Sequence, residues 1–315
     1  MHKISRRKFV ALTATGIAAG PLARMARAMS GAAGGAVTAQ QIVDRIQKNI
    51  GVDWKPDSVD TFKAGDPATV VTGIATTSLA SLEVLDRAVK AGANLIVTCE
   101  PTFFARADSP TPPARRFGPP GTPAPPPEPP VADPVFSAKD EFIRKHNLVV
   151  WRFSDHWRLL TPDPFVQGLA GALGWANFAT PGEPGRFTIP ETSLDALVEQ
   201  VKKSLQARGG MRIVGDKQLR IRKVGFLPGS TPIQASIAML AGVDAIIAGE
   251  VREWESVEYV RDTVALGGKK SLILVGRLVS EGPGMQVCAK WLKGIVPGVA
   301  TTWIAAGDPY WRPTA

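Results

Sequence analysis

The stretch that decides the fold runs from Gly73 to Phe104, GIATTSLASLEVLDRAVKAGANLIVTCEPTFF. It reads as strand, helix, strand. Leu95-Ile96-Val97 is apolar without polar alternation, the pattern of a strand buried on both faces in a parallel sheet flanked by helices. That strand ends on Cys99-Glu100-Pro101, and open α/β sheets place ligands in the crevice at the carboxyl ends of their strands. The chain then repeats itself: residues 91–100, AGANLIVTCE, align without a gap with residues 241–250, AGVDAIIAGE. In each copy a Gly ends a helix, a short apolar strand follows and a carboxylate closes it. Two origins are open, an internal duplication giving two related α/β halves or a chance match of a common helix-to-strand join. Both direct the search for chemistry to the strand ends.

A chain of 315 residues with 44% hydrophobic content has room for one large or two ordinary domains with a substantial core. Its formal charge of +9 invites a nucleic-acid partner. However, Lys3, Arg6, Arg7, Lys8, Arg24 and Arg27 fall within the first 28 positions with no acid among them. Without them, 31 of the 37 basic residues face 28 acidic ones, about +3, which argues against a phosphate-backbone partner. The basic segment has the order of a twin-arginine signal: Ser5-Arg6-Arg7-Lys8-Phe9-Val10, a mildly apolar stretch, then the small-x-small site Ala26-Arg27-Ala28. The expectation is removal of residues 1–28 and a periplasmic or otherwise extracytoplasmic protein. No other segment has the ~20 apolar residues of a membrane span. With Cys99 and Cys288 alone, the sequence permits one bridge and no disulfide framework.

Along the chain, Thr38 to Gln41 has capping-box spacing before a helix carrying Ile42, Val43, Ile46 and Ile50. A strand is expected at residues 70–75, with Thr76, Thr77 and Ser78 capping the next helix. Residues 109–134 hold nearly half of the 27 prolines and read as an extended surface insertion, a lid, a subunit contact or an inert loop. A strand at 148–153 ends in Ser154-Asp155-His156-Trp157-Arg158, which is either a hydrogen-bonded turn or part of a site. Pro228-Gly229-Ser230-Thr231 reads as a tight turn into a helix. Strands at 245–250 and 272–275 end on Glu250 and on Gly276-Arg277, followed by Ser280-Glu281-Gly282. The boundaries read from the sequence are a first lobe at 36–210, carrying the insertion, and a second at 211–310.

Four polar strand ends, at Cys99-Glu100, Asp155-His156, Glu250 and Arg277 through Glu281, have the order and spacing of a known family. The chain resembles the Nif-three-like proteins, the hexameric dinuclear-metal-centre group also labelled GTP cyclohydrolase type-two-like. The resemblance rests on TCEPTFF, AGVDAIIAGE and GRLVSEGPGM. It implies an α/β fold of two similar lobes with mostly parallel sheets flanked by helices, and a ring-shaped homo-oligomer. Matched position by position, two family His fall on Cys99 and Glu100, a third on Arg277 and a family Asp on Leu160; Glu281 alone is retained. An Arg does not ligate a metal, and its fixed charge opposes one.

Two functions follow. In the first, Glu100, Asp155, His156 and Glu281, with Cys99, hold one divalent ion that activates water in a hydrolase acting on a small molecule of unspecified structure. In the second the metal is lost, Arg277 pairs with Glu281 or Glu100, Glu250 and Arg277 face a ligand, and the protein is a non-catalytic ring or an anion-binding module.

Overall fold

A computed structural model describes residues 36–104, 108, 133–207 and 211–311. The twin-arginine segment and insertion residues 109–132 lie outside the described residues.

Helix α1 (Ala39–Asn49) opens with the expected capping box: Thr38 Oγ1 accepts the Gln41 N–H while the Gln41 side chain accepts the Thr38 N–H. Its Ile42, Val43 and Ile46 face the core. The first sheet has the order β1 (Phe62–Ala64), β4 (Val149–Arg152), β3 (Leu95–Thr98), β2 (Gly73–Thr77), β10 (Ala300–Trp303). All but β1 run parallel. β2, β3 and β4 are buried at every position, the polar Thr76, Thr77, Thr98 and Arg152 at their carboxyl ends included. Helices α2 (Leu82–Lys90) and α3 (Pro134–Lys145) cover one face. On the other lie α1 and the long helix α9 (Arg277–Ile295). A short helix, α4 (Asp155–Arg158), follows β4.

The second sheet has the order β5 (Arg186–Ser193), β7 (Arg220–Thr231), β8 (Ala245–Val251), β9 (Ser271–Leu274), β6 (Arg212–Val214), with a parallel centre and antiparallel edges. Helices α5 (Pro164–Ala172) and α6 (Leu194–Leu205) pack on one face, α7 (Ile233–Leu240) and α8 (Glu258–Ala265) on the other.

The two copies of the repeated decapeptide occupy equivalent places. Asn94 and Asp244, at the same position of the repeat, both clamp the start of the preceding strand. Asn94 Oδ1 accepts the Thr72 N–H at 2.8 Å, and Asp244 Oδ2 accepts those of Arg222 and Lys223 at 2.9 and 2.8 Å. At the far ends the Phe153 N–H reaches the Thr98 carbonyl as the Val275 N–H reaches that of Ala248.

Three expectations are corrected. The sheets do not divide at residue 210: β5 and α6 belong to the second sheet, and β10 returns to pair with β2, because α9 packs on both sheets and carries the chain back. Pro228-Gly229 lies inside β7, where the register slips between Leu227 and Ser230 and Gly229 adopts φ +84°. Thr76 and Thr77 are strand residues, and Ser81 caps α2. Cys99 and Cys288 are both buried and free.

Candidate carboxylate–guanidinium site

The carboxyl ends of β3 and β8 bring Glu100 and Glu250 to one guanidinium at the start of α9. Arg277 Nη2 lies 2.7 Å from Glu100 Oε2, and Nη1 donates to Glu250 Oε1 at 3.0 Å. Its Nε is 4.0 Å from Glu281 Oε2, one helical turn along α9. A second guanidinium arrives from the first half: Arg158, at the end of α4, donates to Glu281 Oε1 and rests over the Phe165 ring, 4.1 Å from its centroid. Glu281 is fully buried and Glu100 nearly so, whereas Arg277 and Glu250 are partly open to solvent. Backbone closes in from β7 and β8. Ser280 Oγ accepts the Gly229 N–H at 2.9 Å and donates to the Arg277 carbonyl at 2.6 Å. A Cβ on Gly229 would meet Glu281 and Arg158, so its left-handed backbone fits the space as well as the bulge.

Burial pushes the Glu281 carboxyl up to about 8, with the Glu100 charge adding and the two guanidiniums opposing. Burial thus favours the protonated form of Glu281. Burial, then Glu281 and Glu100, drive the Cys99 thiol well above its ordinary range, so it is a thiol and not a thiolate. Burial works against the Arg277 charge, but Glu100, Glu281 and Glu250 together hold it protonated.

Cys99 Sγ, a Glu100 oxygen and a Glu281 oxygen lie within 4.8 Å of one another, close enough to share one cation. Glu281 Oε2 is buried without a hydrogen-bond partner. A dinuclear centre does not fit this set: it offers one protonated thiol and two carboxylates, no imidazole, and guanidiniums already on both carboxylates. Asp155 and His156 are not brought into it. His156 Nδ1 is 2.7 Å from Asp60 Oδ2 and Nε2 accepts the Lys55 N–H at 2.8 Å, so both ring nitrogens are used; Trp54 stacks on the ring. Asp155 Oδ2 accepts the Val59 N–H. The residues read as a possible ligand pair are the hydrogen-bonded turn, held by Asp60, which also accepts the N–H groups of Ser154, Asp155 and His156.

Sequence reasoning missed Arg158 and Asp60. Arg158 stands within the Ser-Asp-His-Trp-Arg run but pairs 123 positions away; Asp60 sits in a loop with no motif. Beside the cluster, at the ends of β8 and β9, a crevice of about 880 Å³ runs past Glu250 and Arg277, with Leu274 and Val275 at its floor and Tyr310 and Trp311 at its rim.

A two-sheet α/β protein with a crevice at its strand ends is the class this geometry defines. Residues 178–305 match the Duf34/NIF3 (NGG1p interacting factor 3) family profile. The fold is that of solved structures of low identity. The Bacillus cereus protein related to NIF3 is 15% identical with a TM-score of 0.63, covering 89% of this chain and 100% of that one. For Staphylococcus aureus hypothetical protein SA1388 the values are 15%, 0.63, 88% and 99%. For reduced HcgD from Methanocaldococcus jannaschii they are 13%, 0.56, 86% and 98%. No curated protein matches the chain.

Proposed function

We propose that the chain is an exported NIF3-like protein in which a guanidinium stands where the family it resembles carries metal, and that it acts as a small-molecule-binding module, not as a metal-dependent hydrolase. One observation carries this reading: Arg277 bridges Glu100 and Glu250, the closing carboxylates of the two repeats, at 2.7 and 3.0 Å. A positive charge is already fixed among these oxygens, and bringing in a divalent ion means ejecting it from Glu100 and Glu250. The same engagement takes Arg277 out of service as a receptor for anions. The ligand site is then the adjoining crevice, whose volume is in the range of small-molecule sites. Export by the twin-arginine route and assembly into a homo-oligomer are part of the proposal, supported by Arg6-Arg7 with the Ala26-Arg27-Ala28 site and by the family resemblance.

The melting temperature tests it. Mn, Zn and Mg should leave the wild type unchanged, whereas a bound ion at a hundredfold excess over its Kd would stabilise it by roughly 2.7 kcal/mol.

A second reading is favoured by the orphaned Glu281 Oε2 and the 4.8 Å convergence with Cys99 and Glu100: a single ion held by these three donors. It would supply Lewis-acid chemistry. Arg277 would then swing towards Glu250, and a melting-temperature rise with Mn or Zn that Glu281→Gln removes would establish this reading.

A further inference from the structure

At the end of β4 the His156 ring, 1% exposed, is held in one protonation state by its partners. Nε2 lies 2.8 Å from the Lys55 backbone N–H, a group that can only donate, so Nε2 is the acceptor. Nδ1 lies 2.7 Å from Asp60 Oδ2, which also accepts the His156 N–H, while Oδ1 accepts those of Ser154 and Asp155. A carboxylate engaged in this way is ionised and acceptor-only, so the ring carries its one proton on Nδ1 and is neutral.

The segment that crosses the ring, residues 52–61, is held unevenly. Its second half is anchored by Asp60 and by the Val59 N–H, which donates to Asp155 Oδ2 at 3.2 Å. Its first half meets the end of β4 through the Lys55 N–H and through Trp54, stacked on the imidazole with ring centroids 3.7 Å apart and facing Trp151 beyond it. Of the charged groups around the ring, Asp155 is taken by Val59 and Arg158 by Glu281 on the same helix, Lys63 of β1 feels the Asp60 charge, and Arg152 of β4 pairs with Asp108. Asp53, Lys55 and Asp57 of the segment itself are exposed.

A proton on Nε2 would set N–H against N–H and leave the Lys55 donor without its acceptor. The Trp54 face tolerates a charged ring, so it is the Lys55 N–H that makes this arrangement intolerant of one. Asp60 pulls the other way, favouring an imidazolium as soon as Nε2 reaches water. Two arrangements of different proton affinity follow, one closed on a neutral ring and one lifted from a charged ring that Asp60 retains. We propose that residues 52–57 are an acid-opened strap: protonation of His156 releases Lys55 and Trp54 from the end of β4, while Asp60 keeps its hold on α4. The strap depends on neither the crevice nor the Arg277 cluster.

Amide hydrogen exchange on the full chain, corrected for the intrinsic pH dependence of exchange, tests it. As pH falls from about 7 to about 5, protection of the Lys55 amide should drop by up to about tenfold per pH unit, the response of a one-proton equilibrium, while the Ser154, Asp155 and His156 amides keep theirs. His156→Gln, whose side-chain carbonyl accepts an N–H but takes up no proton in this range, should hold the Lys55 protection level. Should that variant fold poorly, nitrogen NMR shifts of the wild-type imidazole give a second readout: the Nδ1–H tautomer should pass to imidazolium in step with the loss at Lys55. Constant Lys55 protection, a ring that protonates without that loss, or a loss shared equally by the three α4 amides would each overturn the proposal.

Discussion

At the end of β4 the chain turns into α4 beneath the Asp60 carboxylate; at the end of β9 it turns into α9 at Arg277. These are equivalent points of the two halves, one strand over from Glu100 and Glu250 respectively. In the first half three backbone N–H groups and the His156 ring are satisfied by one buried acid, and the end is sealed by the Trp54 stack. In the second, Gly276 offers no side-chain cap, and the first residue of the helix sends a guanidinium to carboxylates from both halves. The same backbone plan thus gives a closed structural end and an open, charged one. Neither helix is capped by its own N-cap side chain; the ends differ in what is brought to them, a single buried acid in one and carboxylates from both halves in the other.

The largest effect should come from the sealed end. Asp60→Ala leaves three buried N–H groups and the His156 ring without their acceptor, and should cost about 3–5 kcal/mol in denaturant unfolding. Arg277→Ala, at a partly solvated position, should cost less, about 1–3 kcal/mol. An Asp60 variant no less stable than the Arg277 variant would break the contrast between the two ends.

Where α5 and α9 cross, the halves meet through glycine. A Cβ on Gly168 would collide with the Pro283 backbone, and one on Gly284 with Phe165. Gly168→Ala should cost about 1–3 kcal/mol by overpacking, read as a lowered urea midpoint. An unchanged midpoint would mean that the helices are free to move apart.

The pH dependence sharpens the comparison further, because Glu281 and Lys139 are both buried and both shifted to about 8, from opposite sides. Glu281 has its carboxyl raised from 4.5 to about 8, by burial first. Its contribution is fully present below the unfolded value and is lost as pH rises through about 8. Lys139 in the first half is fully buried, its amine donating to the Thr102 carbonyl beside the Phe103 and Phe104 rings and lowered from 10.5 to about 8, again chiefly by burial. Here the unfolded chain binds the extra proton, so the contribution is present above 10.5 and is lost as pH falls through about 8. Stability should therefore pass through a minimum near pH 8. Glu281→Gln should flatten the acid limb and Lys139→Met the alkaline one; a monotonic profile in the wild type would contradict both assignments.

The smallest effect belongs to the repeat itself. Asp244→Asn makes the second clamp resemble the Asn94 clamp and keeps one carbonyl acceptor, so it should cost under about 1 kcal/mol. A larger loss would show that the two clamps are not interchangeable.

Much of this was legible in the chain. Leu95-Ile96-Val97 and Ala245-Ile246-Ile247 announce buried parallel strands because they lack alternation, and a shared sheet edge led to the expectation of Glu100, Asp155 and Glu281 together; Glu100 instead meets Glu250, Arg277 and Glu281 across two sheets, which depends on where α9 lies between them. Asp155 and His156 also follow a strand end, yet the loop carrying Trp54 and Asp60 folds over them, and nothing periodic in that loop signals where it goes. Arg158 was visible as a residue but not as a partner, since its reach to Glu281 depends on how α4 and α9 are juxtaposed. The return of β10 to the first sheet was hidden for the same reason: edge pairing is decided by where α9 delivers the chain, not by the four residues of the strand.

The central claim is that a guanidinium occupies the cation's place. Elemental analysis of the purified chain after equilibration with Mn(II) or Zn(II) and desalting, run beside Arg277→Ala, addresses it most directly. The wild type should retain far less than one ion per chain, and the variant, with Glu100 released while Arg158 stays on Glu281, should retain measurably more than the wild type. A wild type that retains a full equivalent of metal would contradict the account.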